Sequence, residues 1–139
     1  MTGVQTCALP IYTSRCAYII SEDRITIPPI TDFICKEEYY SSLFHELIHA
    51  TGHSSRLNRI SSENNKQEYA FEELVAEFGS SFLCGLYGIS QPLLENQAGY
   101  IQGWLKIIDN EPNSFIQAAT EASRAVNYLC GECNTSLIE

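Results

Sequence analysis

Residues 45–53 read HELIHATGH and contain all three histidines of the chain. Successive residues of an α-helix are about 100° apart, so His45 and His49 lie about 40° apart on one face, one turn from each other. Two imidazoles at this spacing can bind one tetrahedral metal ion with bonds of about 2.0–2.1 Å. Glu46 lies about 100° from His45, where it can contact a metal-bound water without being a ligand. The stretch therefore predicts a helix that carries a divalent-metal site, with zinc as the expected ion.

The opposite side of this helix is apolar, which indicates that its back is buried and that its histidines face a cleft. The residues concerned are Tyr40, Leu43, Phe44, Leu47 and Ile48. The alternative is an amphipathic surface helix with ordinary histidines. The glutamate at the second motif position favours the metal site, because a peptidase helix of this type uses it as a general base.

A catalytic zinc requires a third protein ligand and one open position. Glu73 and Glu77 lie together beside the apolar face of a predicted second helix, in a stripe with the small residues Ala70 and Ser81. Small residues allow close approach, so Glu73 is predicted as the third ligand and Glu77 as the acceptor of a ligand's free ring N–H. Glu72, at the far edge of the apolar face, is the weaker candidate. The alternative is that these glutamates form a solvated flank.

His53 is the other candidate ligand. The string H-E-x-x-H-x-x-G-H resembles the longer metzincin signature, but the third histidine of that signature would fall at position 55, where Ser55 stands. A sharp turn at Gly52 would let His53 bind the metal or donate to a transition-state oxyanion. Glu73 is favoured over His53.

Composition limits the classes of function. The 139 residues are 45% hydrophobic, enough for one domain with a core. Seventeen acidic and eight basic residues give a net charge of −9, which disfavours nucleic-acid binding by this part of the chain. No stretch approaches the roughly 20 apolar residues of a membrane span, and no secretory signal is recognisable. With six scattered cysteines, these features predict a cytoplasmic protein with reduced thiols.

The first eleven residues, MTGVQTCALPI, read like a translated sequencing-adapter oligonucleotide whose GTG codon would supply Met1. We therefore predict an artefactual leader over residues 1–11, a domain over residues 12–130 and a tail over residues 131–139. An ordinary polar N-terminal arm is the alternative. Long-read sequencing of the source locus distinguishes the two.

The patterns predict an α+β fold, with a small antiparallel sheet followed by helices. Two strands, Cys16–Ile20 and Arg24–Ile27, flank a tight turn, and Pro28 and Pro29 end the second strand at an edge. Gly52 and Gly88 are predicted C-caps and Asn113 an N-cap. The predicted helices cover Lys36–Thr51, Lys66–Tyr87, Asn96–Asp109 and Ser114–Leu129.

Three weaker features have structural interpretations. Cys130 and Cys133 form a lone CxxC, which favours an inert thiol pair over half of an intermolecular metal site. Arg56 and Arg59 are expected to form ion pairs with Glu63 or Glu68, or to hold a substrate carboxylate. The aromatic and aliphatic residues that recur at helical spacing near the third helix are predicted core: Tyr100, Ile101, Trp104, Leu105 and Ile108.

The stretch from Ala17 to Leu129 resembles the C-terminal, zincin-like metallopeptidase domain of the ArdC family of antirestriction proteins, which plasmids and phages carry. The resemblance rests on DRITIP at residues 23–28, the metal motif followed by RLNR at residues 56–59, residues 69–83 and YIQGWL at residues 100–105. It implies a zinc peptidase, with Mn²⁺ as the second possible ion. Family members also have an N-terminal domain that binds single-stranded DNA, which is absent here, so DNA is expected as a partner only through that domain.

The predicted mechanism is metal-assisted hydrolysis of a peptide or protein substrate. The metal activates a water, and Glu46 takes its proton and later returns it to the leaving amine. In folds of this kind an extended peptide lies along the edge strand, here Arg24–Ile27. The alternative is a metal-stabilised module that blocks a restriction enzyme by binding it. Glu46 argues for the enzyme, since an inert zinc site does not need it.

Overall fold

The N-terminal hairpin is the only sheet among residues 15–61, 65–90, 94–108 and 112–131, which the computed structural model describes. Strand β1 (Ala17–Ile19) pairs antiparallel with β2 (Arg24–Thr26), with Tyr18 opposite Ile25. A 3-10 turn and Asp23, at φ 46°, connect the strands; aspartate is among the residues that tolerate this left-handed region. Both strands are shorter than predicted.

Four helices follow the hairpin, which confirms the predicted α+β order. Their bounds are α1 Lys36–Thr51, α2 Lys66–Leu86, α3 Leu94–Ile107 and α4 Pro112–Cys130. None of the helices in the described ranges is long and apolar enough to cross a membrane.

Helix α1 has the predicted bounds, and the other helices differ from prediction by one or two residues at their described ends. Helix α2 begins with a capping box, in which Asn65 Oδ1 accepts from the Glu68 N–H at 2.9 Å and Glu68 Oε2 accepts from the Asn65 N–H at 3.1 Å. The predicted N-cap Asn113 is wrong, because α4 already begins at Pro112. Proline suits a first helical position, where no N–H partner is needed.

At the two predicted C-cap positions, glycine is required for different structural reasons: backbone conformation at Gly88 and close packing at Gly52. Gly88 follows α2 with φ 66°, a conformation that glycine adopts without strain. Gly52 caps α1 with an ordinary φ of −80°. A Cβ there would lie 2.6 Å from Ile60 Cγ1, so the close approach of the following loop requires glycine.

Helix α2 is the centre of the domain, since it packs against α1, α3 and α4. Gly79 contacts Ile48 of α1 so closely that a Cβ would lie 2.6 Å from Ile48 Cδ1. Ser80 Oγ donates to the Ser41 carbonyl at 2.9 Å. These two residues, rather than the predicted Ser81, allow α1 and α2 to approach closely.

The core lies between α1, α2 and α4, with an alanine stripe of α4 fully buried. Its most buried members are Ile48, Ala70, Leu74, Val75, Ala76, Ala118, Ala122 and Ala125. Of the predicted core residues of α3, Ile108 is buried and Trp104 half-buried, whereas Tyr100 is 60% exposed, so its assignment to the core was wrong. This packing places the motif face of α1 against the first half of α2.

Candidate metal centre

Three potential metal ligands meet where α1 packs against α2: His45, His49 and Glu73. The two Nε2 atoms are 3.1 Å apart. Glu73 Oε2 lies 3.3 Å from His45 Nε2, and Glu73 Oε1 lies 3.2 Å from His49 Nε2. The structure thus brings together the two motif histidines and the glutamate predicted from the α2 pattern.

These distances fit a single metal ion. Bonds of about 2.0–2.1 Å place the ligand atoms of a tetrahedral ion about 3.3–3.4 Å apart. The three separations measured here are 3.1, 3.2 and 3.3 Å. Two imidazoles and a carboxylate are also a ligand set that suits zinc and leaves one position open. The residues present therefore fit a divalent metal.

His49 is held by a buried carboxylate and arginine. Its Nδ1 lies 3.1 Å from Glu72 Oε1, so Glu72 accepts the ring N–H and leaves Nε2 with its lone pair toward the other ligands. Arg59 donates from Nε to Glu72 Oε2 at 2.7 Å and from Nη2 to Glu72 Oε1 at 2.8 Å. Glu72 is 6% exposed, hydrogen-bonds to His49 and therefore orients it, and it lies outside the group of three candidate ligands.

Arg59 also joins this pair to the end of α1. Its Nη2 donates to the Ile48 carbonyl at 2.9 Å, and its Nη1 donates to Thr51 Oγ1 at 3.3 Å. The predicted ion pair of Arg59 thus exists, but with Glu72 instead of Glu68. Glu63, the other expected partner, lies outside the described residues.

Glu77 lies on the other side of the site. Its Oε1 is 3.5 Å from His45 Nδ1, the ring atom that does not face the other ligands. This is the position predicted for a carboxylate that orients a ligand histidine. The two histidines thus have different carboxylates behind them, Glu77 for His45 and Glu72 for His49.

The candidate ligands and Glu72 shift one another's pKa values. Burial alone would lower the pKa of His49, but its hydrogen bonds with Glu72 and Glu73 outweigh burial and raise it to about 10. Burial would raise the pKa of Glu73, yet hydrogen bonds with His45 and His49 lower it. The pKa of Glu72 is also lowered against burial, by Arg59 and His49.

Glu46 is 8% exposed and does not belong to the group of three ligands. Its Oε2 accepts a hydrogen bond from the Tyr18 N–H of β1 at 2.8 Å. Burial and the negative charge of Glu46 raise the pKa of the thiol of Cys16, the residue before β1. The Tyr18 amide therefore points away from β2 and fixes Glu46 at the outer edge of β1.

A polar cluster attaches the hairpin to the loop after α1. Tyr18 Oη donates to Asp23 Oδ1 at 2.7 Å, and Arg56 makes two hydrogen bonds to the Asp23 carboxylate, one of them from Nη1 to Oδ2 at 3.1 Å. Arg56 Nε donates to the Ala50 carbonyl at 2.6 Å. The hydrogen bond from Arg56 lowers the pKa of Asp23 to about 2. Arg56 thus pairs with Asp23 rather than with the predicted Glu68.

His53 lies outside the three-ligand group found among the described residues. Its Nδ1 is 2.7 Å from Ser55 Oγ and accepts from the Ser55 N–H at 3.1 Å. The loop folds back over Gly52, whose carbonyl accepts from the Arg59 and Ile60 N–H groups, both at 2.9 Å. These contacts hold His53 in the loop, so direct ligation by His53, the less favoured alternative, is not what the structure shows.

Tyr69 is a site residue that the sequence patterns did not single out. It lies one helical turn before Glu73 on α2, and burial together with the charge of Glu73 raises its pKa. Its ring packs edge-to-face on Trp104, with centroids 5.6 Å apart. The available signal was its position four residues before Glu73, which places both side chains on one face of α2.

Of the predicted thiol pair, only Cys130 lies within the described residues. Cys130 is half-buried with a free thiol, 3.9 Å from the Tyr87 hydroxyl, and Cys133 lies outside the described residues.

An HExxH helix packed on a glutamate-bearing helix, after a short hairpin, defines a zincin-like domain. The family model described as a zincin-like metallopeptidase (MPTase-PolyVal) matches residues 4–121, and the chain belongs to this family. The match begins within the predicted leader of residues 1–11 and ends before residue 130, the predicted domain boundary.

Relatives in sequence and structure agree with this assignment. Over 86% of its length the chain is similar to the Mn(II)-bound crystal structure of the antirestriction protein ArdC from plasmid R388, with a TM-score of 0.73 and 39% identity, and it covers 44% of that chain. The metal-free ArdC structure matches with a TM-score of 0.71. A DNA primase TraC of Escherichia coli is 35% identical over 83% of this chain, which spans 8% of that protein. The uncharacterised protein y4eC of Sinorhizobium fredii is 29% identical over 84% of this chain, which spans 38% of that protein. The resemblance to the ArdC family is thereby confirmed.

Proposed function

We propose that this domain is a metal-dependent peptidase that hydrolyses peptide bonds with Glu46 as its general base. His45, His49 and Glu73 would hold the metal. The observation that carries the proposal is the placement of Glu46, which directly follows His45 on α1, is buried, accepts from the Tyr18 amide and is not itself one of the three candidate ligands. A metal site that only stabilises a fold has no use for such a carboxylate.

The bound metal would polarise the substrate carbonyl and make water a good nucleophile near neutral pH. Glu46 accepts the proton of the attacking water and returns it to the leaving nitrogen as the peptide bond breaks. The Tyr18 amide holds one carboxylate oxygen in place, so the other is free to make this transfer. Glu72 keeps the His49 imidazole oriented by accepting at Nδ1, and Glu77 lies 3.5 Å from the corresponding nitrogen of His45.

The substrate we propose is an extended peptide that adds to the outer edge of β1. Because the Tyr18 N–H points away from β2, the Tyr18 carbonyl points the same way in an antiparallel ladder and can accept from a peptide. This places the peptide beside β1, next to Glu46, rather than beside the predicted Arg24–Ile27 strand. The position next to Glu46 is what hydrolysis requires.

The comparisons support our proposals for the metal and for the partners. The R388 ArdC crystal structure contains Mn(II), so we propose Mn²⁺ beside Zn²⁺ as the ion of this site. Antirestriction proteins act against restriction, so a restriction enzyme is the protein partner we propose for the longer protein. Single-stranded DNA would be bound through the family's N-terminal domain.

Glu46→Gln tests the function directly. The variant keeps the size of the side chain and removes the base, so metal binding should be unchanged and hydrolysis should fall by about 100-fold or more. Cleavage is measured by mass spectrometry on a peptide library incubated with the Zn²⁺- or Mn²⁺-loaded chain. Glu121→Gln on α4, an acidic residue paired only with Arg124 in the described structure, is the matched control.

Cleavage by Glu46→Gln at the wild-type rate would exclude Glu46 as the base. If the loaded wild-type chain cleaves no peptide, and Glu46→Gln retains antirestriction in a plasmid-transfer assay with the full-length protein, the domain acts by binding. That result would refute the peptidase proposal.

A further inference from the structure

We propose that Arg56 is a positioning residue of this site, which fixes the hairpin against α1 and thereby holds Glu46 in place as the general base. The inference rests on the proposed peptidase function and adds the residue that keeps the base and the substrate-binding edge of β1 aligned. It is carried by a closed series of hydrogen bonds that begins and ends on α1.

The hairpin contacts Glu46 through the backbone of Tyr18. The Tyr18 N–H donates to Glu46 Oε2 at 2.8 Å. The carbonyl of the same residue lies on the same outer edge of β1, where the proposed substrate peptide would bind. A shift of β1 relative to α1 would therefore move the base and the bound peptide relative to each other.

The side chain of Tyr18 is attached to Arg56. The Tyr18 hydroxyl donates to Asp23 Oδ1 at 2.7 Å and accepts from Arg56 Nη2 at 3.3 Å. Arg56 also donates from Nη1 to Asp23 Oδ2 at 3.1 Å and from Nη2 to Asp23 Oδ1. Paired hydrogen bonds between a guanidinium and a carboxylate fix direction as well as distance, which a lysine does not do. Arg56 therefore orients both the turn of the hairpin and the Tyr18 side chain.

Arg56 is itself attached to the helix that carries Glu46. Its Nε donates to the Ala50 carbonyl at 2.6 Å, and Ala50 follows Glu46 by four residues, one turn along the same face of α1. The Arg56 backbone N–H donates to the His53 carbonyl at 2.9 Å, which holds the arginine in the loop after α1. The hydrogen bonds thus run from Glu46 through Tyr18 to Arg56 and back to α1, so two separate contacts fix β1 beside the base.

The contacts of Arg56 suit orientation more than stability. The side chains of Arg56 and Asp23 are 22% and 39% exposed. Partly exposed ion pairs contribute little to the free energy of unfolding, so loss of Arg56 should leave the chain folded. The hydrogen bond from Arg56 lowers the pKa of Asp23 to about 2, so the pair stays charged in neutral buffer. The placement of Glu46 should therefore depend on Arg56 more than the fold does.

The first test measures amide hydrogen exchange by NMR in the full, Zn²⁺-loaded chain. Arg56→Met should accelerate exchange of the Tyr18 N–H by about tenfold, the size expected when a hydrogen bond to a charged group is weakened. The amide of Val75, a fully buried residue of α2, should exchange as in wild type. Arg56→Lys should give an intermediate rate. The control Arg124→Met, which removes an exposed arginine paired with Glu121, should match wild type.

The second test is kinetic and uses any peptide that is cleaved. Arg56→Met should lower kcat by about 10- to 100-fold, because a misplacement of about 1 Å has an effect of this size. In the Glu46→Gln background the same substitution should change kcat by less than about twofold, since a residue that acts through the base has no further effect once the base is removed. A residue that only stabilises the fold would lower activity by the same factor in both backgrounds, and this result would contradict the proposal.

Unchanged exchange of the Tyr18 N–H in Arg56→Met would overturn the proposal. Equally faster exchange at Tyr18 and Val75 would also overturn it, because Arg56 would then only stabilise the fold. If Arg56→Met does not fold, Tyr18→Phe removes the hydroxyl that Asp23 and Arg56 hold, and the same results are expected for the amide at position 18. If the wild type cleaves no peptide while this exchange still depends on Arg56, the peptidase function fails and the positioning of Glu46 by Arg56 remains.

Discussion

Replacing Glu72 by glutamine should weaken metal binding although Glu72 is not a ligand. In the wild type, Glu72 Oε1 accepts from His49 and from Arg59 Nη2, while Oε2 accepts from Arg59 Nε. A glutamine has one side-chain oxygen, which can accept either from His49 or from Arg59 Nε, but not from both. With the oxygen toward His49, its NH₂ group faces the Nε–H of Arg59, donor against donor. Arg59, whose side chain is 7% exposed, would then be a buried cation without its counter-charge.

This geometry predicts the loss in the free energy of unfolding and the loss in metal affinity. Removing one partner of a buried ion pair costs about 3–5 kcal/mol of the free energy of unfolding. Loss of a carboxylate that orients a ligand histidine lowers metal affinity by about 10- to 100-fold, or about 1.4–2.8 kcal/mol. Since domains unfold with about 5–15 kcal/mol, the variant should still fold.

The metal affinity is measured by competition with a chromophoric chelator, and the free energy of unfolding by urea titration of the metal-free chain. Arg59→Lys keeps the charge but loses the two-pronged contact, so its losses should be smaller than those of Glu72→Gln. Glu121→Gln is the neutral control. A Zn²⁺ affinity of Glu72→Gln within twofold of wild type would refute the reasoning that Glu72 orients His49.

Two further predictions concern stability. Because the pKa of His49 is raised to about 10, its protonated form stabilises the metal-free protein fully below pH 6.5 and this contribution is lost as pH rises toward 10. The lowered pKa of Glu73 contributes stability that is present above pH 4.5 and lost as pH falls. Urea midpoints with EDTA should therefore be highest between about pH 5 and 6.5, and a midpoint that rises from pH 7 to 10 would contradict this. Gly79→Ala should lower the free energy of unfolding by about 1–3 kcal/mol in urea titration, since its Cβ would lie 2.6 Å from Ile48 Cδ1. Gly85→Ala, with open space around the added Cβ, should be neutral or stabilising by up to about 1 kcal/mol. Equal effects of the two substitutions would contradict the packing argument.

The metal helix and its ligands were predictable because their signals are local. A spacing of four residues places two histidines on one face of any α-helix, and the bounds of α1 followed from its own pattern. Glu73 was also predictable, since the periodicity of α2 places it beside the apolar face. Tyr69 had the same kind of signal, its four-residue spacing from Glu73, but an exposed aromatic residue does not by itself indicate a site.

The partners that orient the site were not predictable in the same way. Glu72 meets His49 across 23 residues of sequence and Arg59 across 13, and Tyr18 reaches Glu46 across 28. The periodicity of hydrophobic residues within one helix or strand does not predict such contacts. They depend on how closely two helices pack and where a loop returns, which is why the sequence patterns did not pair Arg59 with Glu72.

The sequence by itself determined the order of elements, the helix that carries the metal motif, the pair of histidines and the glutamate between them. These features depend on backbone periodicity and on the chemistry of side chains close in sequence. Only the tertiary structure shows that Glu73, and not His53, lies with the two motif histidines, because that arrangement depends on the approach of α2 to α1 at Gly79 and on the loop that folds back at Gly52. It also shows that Arg59 and Glu72 adjoin His49, since a buried charge meets its partners only when folding brings them into contact.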